Sequence, residues 1–154
     1  MMHRSESVVV SLASRVQAPL LQLYALYVLI HGHYSPGGGF QAGATLAGSF
    51  LIFRITEGYP AGYKGLSTRG ATYLALIGVG IYLAIGILGL LVSPGTAFLD
   101  YSAVAGLPGM PHSLHGAAAR AIGTLGIEIG VTLAVMGVMI TLFDDLVARD
   151  QSGR

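Results

Sequence analysis

The sequence predicts an all-α fold: a polytopic membrane protein with four transmembrane helices and both termini cytoplasmic. Three observations carry this. The 154 residues are 53% hydrophobic and only 10% charged, where a soluble domain carries about 25% charged residues; the mean hydropathy is +0.70. Four apolar runs, separated by charges or Pro/Gly turns, come close to the ~20 residues a helix needs to cross the hydrocarbon core. Finally, Arg4, Arg15, Arg54, Lys64, Arg69, Arg149 and Arg154 fall on one side of such a topology and only Arg120 on the other, which sets the orientation by the positive-inside rule. A soluble helical core fails because so few polar residues could not cover four apolar segments.

Taken in order, a single membrane domain over residues 1–154 is expected, with spans at about 11–31, 39–56, 70–92 and 119–142. The first begins near Ser11, with Arg15 able to snorkel and Pro19 in the opening turns, where proline disrupts least. Val8 to Leu12 is an alternative short interfacial helix. Segment two starts at Gly39 and is ended by Glu57-Gly58-Tyr59-Pro60. Segment three, from Gly70 to Val92, carries no charge and stops at Ser93-Pro94-Gly95. A long connection to Ala117 follows, and segment four is expected to leave the membrane at Asp144-Asp145. Arg4 is followed by Glu6 with no small-residue cleavage site, so no removable signal peptide is expected.

Composition excludes several classes. The 23 glycines have no G-x-y period, which excludes collagen and suits close helix packing. A net charge of +1 gives no reason to expect nucleic-acid binding. The absence of cysteine removes disulfides, thiolate metal sites and a cysteine nucleophile.

Glu128 is the informative residue, because it falls near the middle of segment four. A charge at bilayer mid-depth costs about 2.5–3.5 kcal/mol on insertion scales, so the carboxylate must face protein, water or an ion. Arg120, Thr124, Glu128 and Thr132 are spaced by four and share one helix face. Gly126, Gly130 and Ala134 give the same helix a second, small-residue face. Thr124, Glu128 and Thr132 are thus candidates for an ion or proton path; against this stands a structural pairing that only locks the chain in place. On segment two, Gly39, Gly43 and Ala47 form another small-residue face for close helix approach. Pro36, Gly37 and Gly38 shape the turn before it.

Histidine is the side chain type suited to proton relay near neutral pH, so His31 and His33 join the path candidates. Their H-x-H spacing is a weak metal signal, and even with His112 and His115 no metal centre is expected. Gly37-Gly38-Gly39 lacks the Lys-Ser/Thr and strand context of a phosphate loop. Tyr34, Tyr59 and Tyr63 read as interfacial anchors. Neither a cofactor nor a catalytic role is expected.

The string His31-Gly32-His33-Tyr34-Ser35-Pro36-Gly37-Gly38-Gly39-Phe40, continued by Gln41-Ala42-Gly43, resembles the signature of the B subunit of Mrp/Mnh-type multisubunit Na+/H+ antiporters. The likeness resumes at Glu128-Ile129-Gly130-Val131, where that family has an acid, an apolar residue and Gly-Val. The resemblance implies a non-enzymatic subunit in a prokaryotic plasma membrane, assembled with other membrane subunits, with Na+ and H+ as transported ions. It makes the turn residues Pro36 to Gly39, together with Gly43, Ala47, Gly126 and Gly130, candidates for subunit contact. The alternatives are a B-type module of an energy-converting membrane hydrogenase-like complex and a purely structural scaffold.

Overall fold

The computed structural model describes residues 7–32, 37–58, 65–92, 98–100 and 117–152, and these are helical apart from short turns. Four helices follow one another: α1 (Val8–Ile30), α2 (Gly39–Glu57), α3 (Thr68–Val92) and α4 (Ala117–Ser152). Two of them, α3 and the Ala117–Arg149 stretch of α4, are long and apolar enough to cross a membrane. Arg4, Lys64, Arg154, the anchors Tyr34, Tyr59 and Tyr63, and most of the 94–117 connection lie outside the described residues.

α1 packs on α2, α2 on α4, and α4 on α3, while α1 barely reaches α4. The helices therefore stand in the order α1–α2–α4–α3. Residue pairs in contact give the directions. Gly39 meets Glu128, Gly43 meets Thr132 and Arg54 meets Asp144, a nearly constant offset, so α2 and α4 run parallel. Gly126 meets Ile85, Gly130 meets Tyr82, Gly78 meets Ala134 and Thr68 meets Asp144, so α3 and α4 are antiparallel. Ser11 and Ser14 meet Glu57 and Thr56, so α1 is antiparallel to α2.

The distribution of side chains is the reverse of a soluble bundle. α1 buries Ser11, Ser14, Ala18, Ala25 and Val28, a stripe at helical spacing made mostly of small residues. Its large apolar residues, Leu12, Leu20, Leu23 and Tyr27 among them, point outward. α3 buries Ala71, Gly78, Gly86 and Gly89 and exposes Leu76, Ile77 and Leu91. In water such a surface would be an aggregation site; in lipid, small residues let backbones approach and large ones meet acyl chains. A Cβ at Gly78 would lie 3.0 Å from Ala134 Cα, and closer still to Ala134 N and Gly130 O, so α3 and α4 touch backbone to backbone there. A small apolar cluster of Ala47, Ala71, Met136 and Ile140 joins α2, α3 and α4.

Polar groups concentrate where α1 and α3 begin and α2 ends. The Arg54 guanidinium on α2 pairs with the Asp144 carboxylate on α4, and both side chains are almost fully buried. Arg54 Nη2 also donates to the Leu66 carbonyl, and Thr68 Oγ1 donates to Asp144 Oδ2 at 2.6 Å. Beside this, buried Glu57 accepts from Ser11 Oγ at 3.0 Å and pairs with Arg15 at 2.9 Å. Gly58, at φ 68°, occupies the left-handed region and ends α2 with its N–H on the Arg54 carbonyl.

The α4 helix runs on past Asp144 to Ser152, and the Asp144 carboxylate, paired with Arg54, is packed inside. Two expectations change. Val8 to Leu12 is continuous with α1 and capped by Ser7, whose Oγ accepts from Val10 N. Pro19 is consequently interior to α1, where it removes the helical donor to the Arg15 carbonyl.

Removing one member of the buried Arg54–Asp144 pair leaves an uncompensated charge. We expect Asp144→Asn or Arg54→Leu to destabilise the fold by about 3–5 kcal/mol, and joint replacement of both by leucine to recover most of that loss. Thermal unfolding of the purified protein in detergent checks this; a joint variant no better than the singles would contradict it.

Candidate functional site

The polar stripe of α4 meets the turn between α1 and α2. Thr132 is almost fully buried, and its Oγ1 lies 2.7 Å from the Glu128 carbonyl and 3.0 Å from the Gly39 carbonyl. One hydroxyl hydrogen is thus shared between the two helices. A Cβ at Gly39 would lie 2.9 Å from Glu128 Cα and closer to its carbonyl oxygen. A Cβ at Gly43 would lie 2.7 Å from the Thr132 carbonyl and 2.9 Å from Val135 Cβ. Only glycine at these two positions lets the first turns of α2 lie directly on α4.

That close approach brings the Glu128 carboxylate to the glycines of the turn. A Cβ at Gly32 would lie 2.6 Å from both carboxylate oxygens, and one at Gly38 would lie 3.7 Å from Oε1. On this side the acid meets peptide backbone, which carries dipoles. It is half-buried, as is Thr124 one turn earlier, while Arg120 is exposed. Such a group can hold a proton or a cation next to backbone without full desolvation.

The other candidates divide. His31 is exposed; its ring stacks on Tyr27 at 4.3 Å, and Nδ1 lies 3.0 Å from the Tyr27 carbonyl. A carbonyl only accepts, so Nδ1 carries the hydrogen in that contact. Gly37 sits between helices, where a Cβ would meet Gln41 Oε1 at 2.6 Å and Val28 Cγ1 at 2.9 Å. Gly126 and Gly130 face α3, against Ile85 and the backbone of Gly78 and Tyr82. Ala47 is fully buried in the α2–α3–α4 cluster. The small residues expected to receive a partner thus receive helices of the same chain, because α4 is flanked on both sides. His33, Pro36, His112 and His115 lie outside the described residues. Among the described residues no group of three or more His, Asp or Glu could hold a metal ion.

Sequence reasoning missed the Arg54–Asp144 pair and the burial of Glu57. A signal was present: Arg54 stands inside an apolar run, three residues before the acid that ends it. A charge so placed requires a partner.

An all-helical chain that turns large apolar side chains outward and packs on glycine and alanine is a membrane protein. The chain belongs to the family of domains related to the MnhB subunit of Na+/H+ antiporters, whose sequence model matches residues 9–141. It is also similar to a Staphylococcus haemolyticus (strain JCSC1435) protein provisionally named antiporter subunit mnhB2. The two are 26% identical over 148 residues, covering 90% of this chain and 93% of that protein.

Gly39→Ala must push α2 off Glu128, and we expect a loss of about 1–3 kcal/mol, the usual range for overpacking. Gly48→Ala is the control: outside its own stretch of helix no atom lies within 4 Å of its Cβ position, so it should leave the melting temperature unchanged or raise it slightly through alanine's better helix propensity. Equal effects of the two in a thermal scan would contradict the close α2–α4 contact.

Proposed function

We propose that the chain is a small, four-span membrane subunit of a multisubunit cation/proton antiporter in the prokaryotic cell membrane. Both termini are cytoplasmic in this reading, Na+ and H+ are the transported ions, and neighbouring membrane subunits and lipid cover the outward-facing apolar residues. Membership of the MnhB-related family supports the antiporter setting. α1, with 23 residues, and α2, with 19, are close to the length of a membrane crossing. The Arg15, Arg54 and Glu57 end then faces the cytoplasm, in keeping with the Lys/Arg asymmetry.

Glu128 is the residue we assign to the ion or proton path, with Thr124 and Thr132 on its helix face. The observation that carries this is the enclosure of its carboxylate by Gly32 and Gly38 at a half-buried position, where a carboxylate can exchange a proton or cation. Glu128 is level with the residues near Tyr82 on α3, about one turn past the centre of that apolar helix.

The same packing against the turn favours a second reading, in which Glu128 is a structural pin of a scaffold subunit. Glu128→Gln separates the two, because it keeps the volume and removes the charge. In an assembled complex the path reading expects Na+-dependent proton flux in vesicles to fall to a small fraction of wild type. Full flux from an intact complex carrying Gln would leave the scaffold reading standing. The hydrogenase-like module has no comparable observation in its favour.

A further inference from the structure

Exposure falls steadily along the stripe of α4 that leads to Glu128. Arg120 is exposed, Thr124 and Glu128 are half-buried, and Thr132 is 2% exposed. The cause is a difference in helix length. α2 begins at Gly39, directly against Glu128. α4 begins eleven residues earlier, at Ala117, and so extends about 16 Å beyond the start of α2 at 1.5 Å per residue. Over that length α2 does not cover the stripe, and among the described residues its exposure rises toward Ala117.

Below Glu128 the way is shut. Gly39 and Gly43 lie on the α4 backbone, and the Thr132 hydroxyl is held between the Glu128 and Gly39 carbonyls. Next comes the apolar cluster of Ala47, Met136, Ile140 and Ala71. The hydroxyls at this depth bond to carbonyls of their own helices, Thr45 to Gln41, Ser49 to Leu46 and Thr141 to Gly137, and Thr141 also meets the Thr72 hydroxyl of α3 at 3.4 Å. Only beyond this layer do the buried charges Arg54 and Asp144 appear. Asp144 is sixteen residues from Glu128, about 24 Å along α4.

From this geometry we infer that Glu128 is a one-sided site. Within this chain it exchanges a proton or small monovalent cation only with the end where α4 begins, and the apolar layer isolates it from the Arg54–Asp144 end. The chemical role rests on the function proposed above; the access does not. An ion crossing the whole membrane by way of Glu128 must leave through a partner subunit and not through the centre of this one.

The chain contains no cysteine, so single cysteines can report access in the assembled complex, with the unsubstituted complex as background. Thr124→Cys should react with a membrane-impermeant thiol reagent added at the α4 N-terminal side and not at the other. Met136→Cys should react from neither side. Reaction of Thr124→Cys from the Arg54–Asp144 side, no reaction from either side, or reaction of Met136→Cys would each overturn one-sided access. A second measurement needs no substitution. A water-soluble carbodiimide, applied from each side of oriented vesicles, should modify Glu128 from the α4 N-terminal side only, as read by mass spectrometry. Flux measured after labelling Thr124→Cys separates the two ideas: correct sidedness with undiminished flux removes Glu128 from the path and leaves the access intact.

Discussion

The contact between α2 and α4 is the constraint on which the rest of the structure depends. The two helices run parallel, and a constant register joins Gly39 to Glu128, Gly43 to Thr132 and Arg54 to Asp144. Parallel neighbours cannot be joined by a short turn, so nothing in the connectivity sets this register. It is set by contacts at both ends: a shared Thr132 hydrogen bond at one and a buried ion pair at the other. Between them, glycine and alanine allow the backbones to approach. Dispersion over such a close contact does the work that the hydrophobic effect cannot do in lipid.

This arrangement explains how a carboxylate can be kept within an apolar chain. Glu128 is carried on the longest helix, and the shorter α1–α2 pair ends beside it. The turn supplies backbone where a spanning helix would supply leucine and valine. The acid thus lies at a step in the fold, with polar backbone on one side and a stretch of α4 toward Ala117 that α2 does not cover. At the opposite end, Arg54 and Asp144 solve the same problem differently, by neutralising each other with help from Thr68 and the Leu66 carbonyl. Such a pair adds less to stability than its Coulomb attraction implies, because both ions are desolvated, but it discriminates strongly against any other register.

The single row of helices also has a consequence for assembly. With α1 and α3 at the edges, the helices keep much of their apolar surface outward, α4 included through Ile122, Leu125, Val138 and Leu142. Gly39, Gly43, Gly78 and Gly130 are occupied inside the chain, and the surface that remains for lipid or a neighbouring subunit is mostly large and apolar, as at Leu12, Leu20 and Leu23 on α1 and Leu76, Ile77 and Leu91 on α3.

Composition and periodicity alone determined that this chain is helical and made for a membrane, since 10% charged residues cannot clothe a soluble surface. Spacing by four singled out Glu128 and Thr132 on one face of α4, and Gly39 and Gly43 on one face of α2, because helix geometry is local. What local geometry cannot say is which helix lies against which face. The sequence offered Gly39, Gly43, Gly126 and Gly130 to any partner; the fold filled those faces with its own helices. The burial of Asp144 could not be read from the sequence, because a charge reads as water-facing until its partner is known, and that partner, Arg54, is ninety residues away. The glycine surroundings of Glu128 and the tight α2–α4 packing next to it follow from relative helix lengths and long-range register, which only tertiary packing decides.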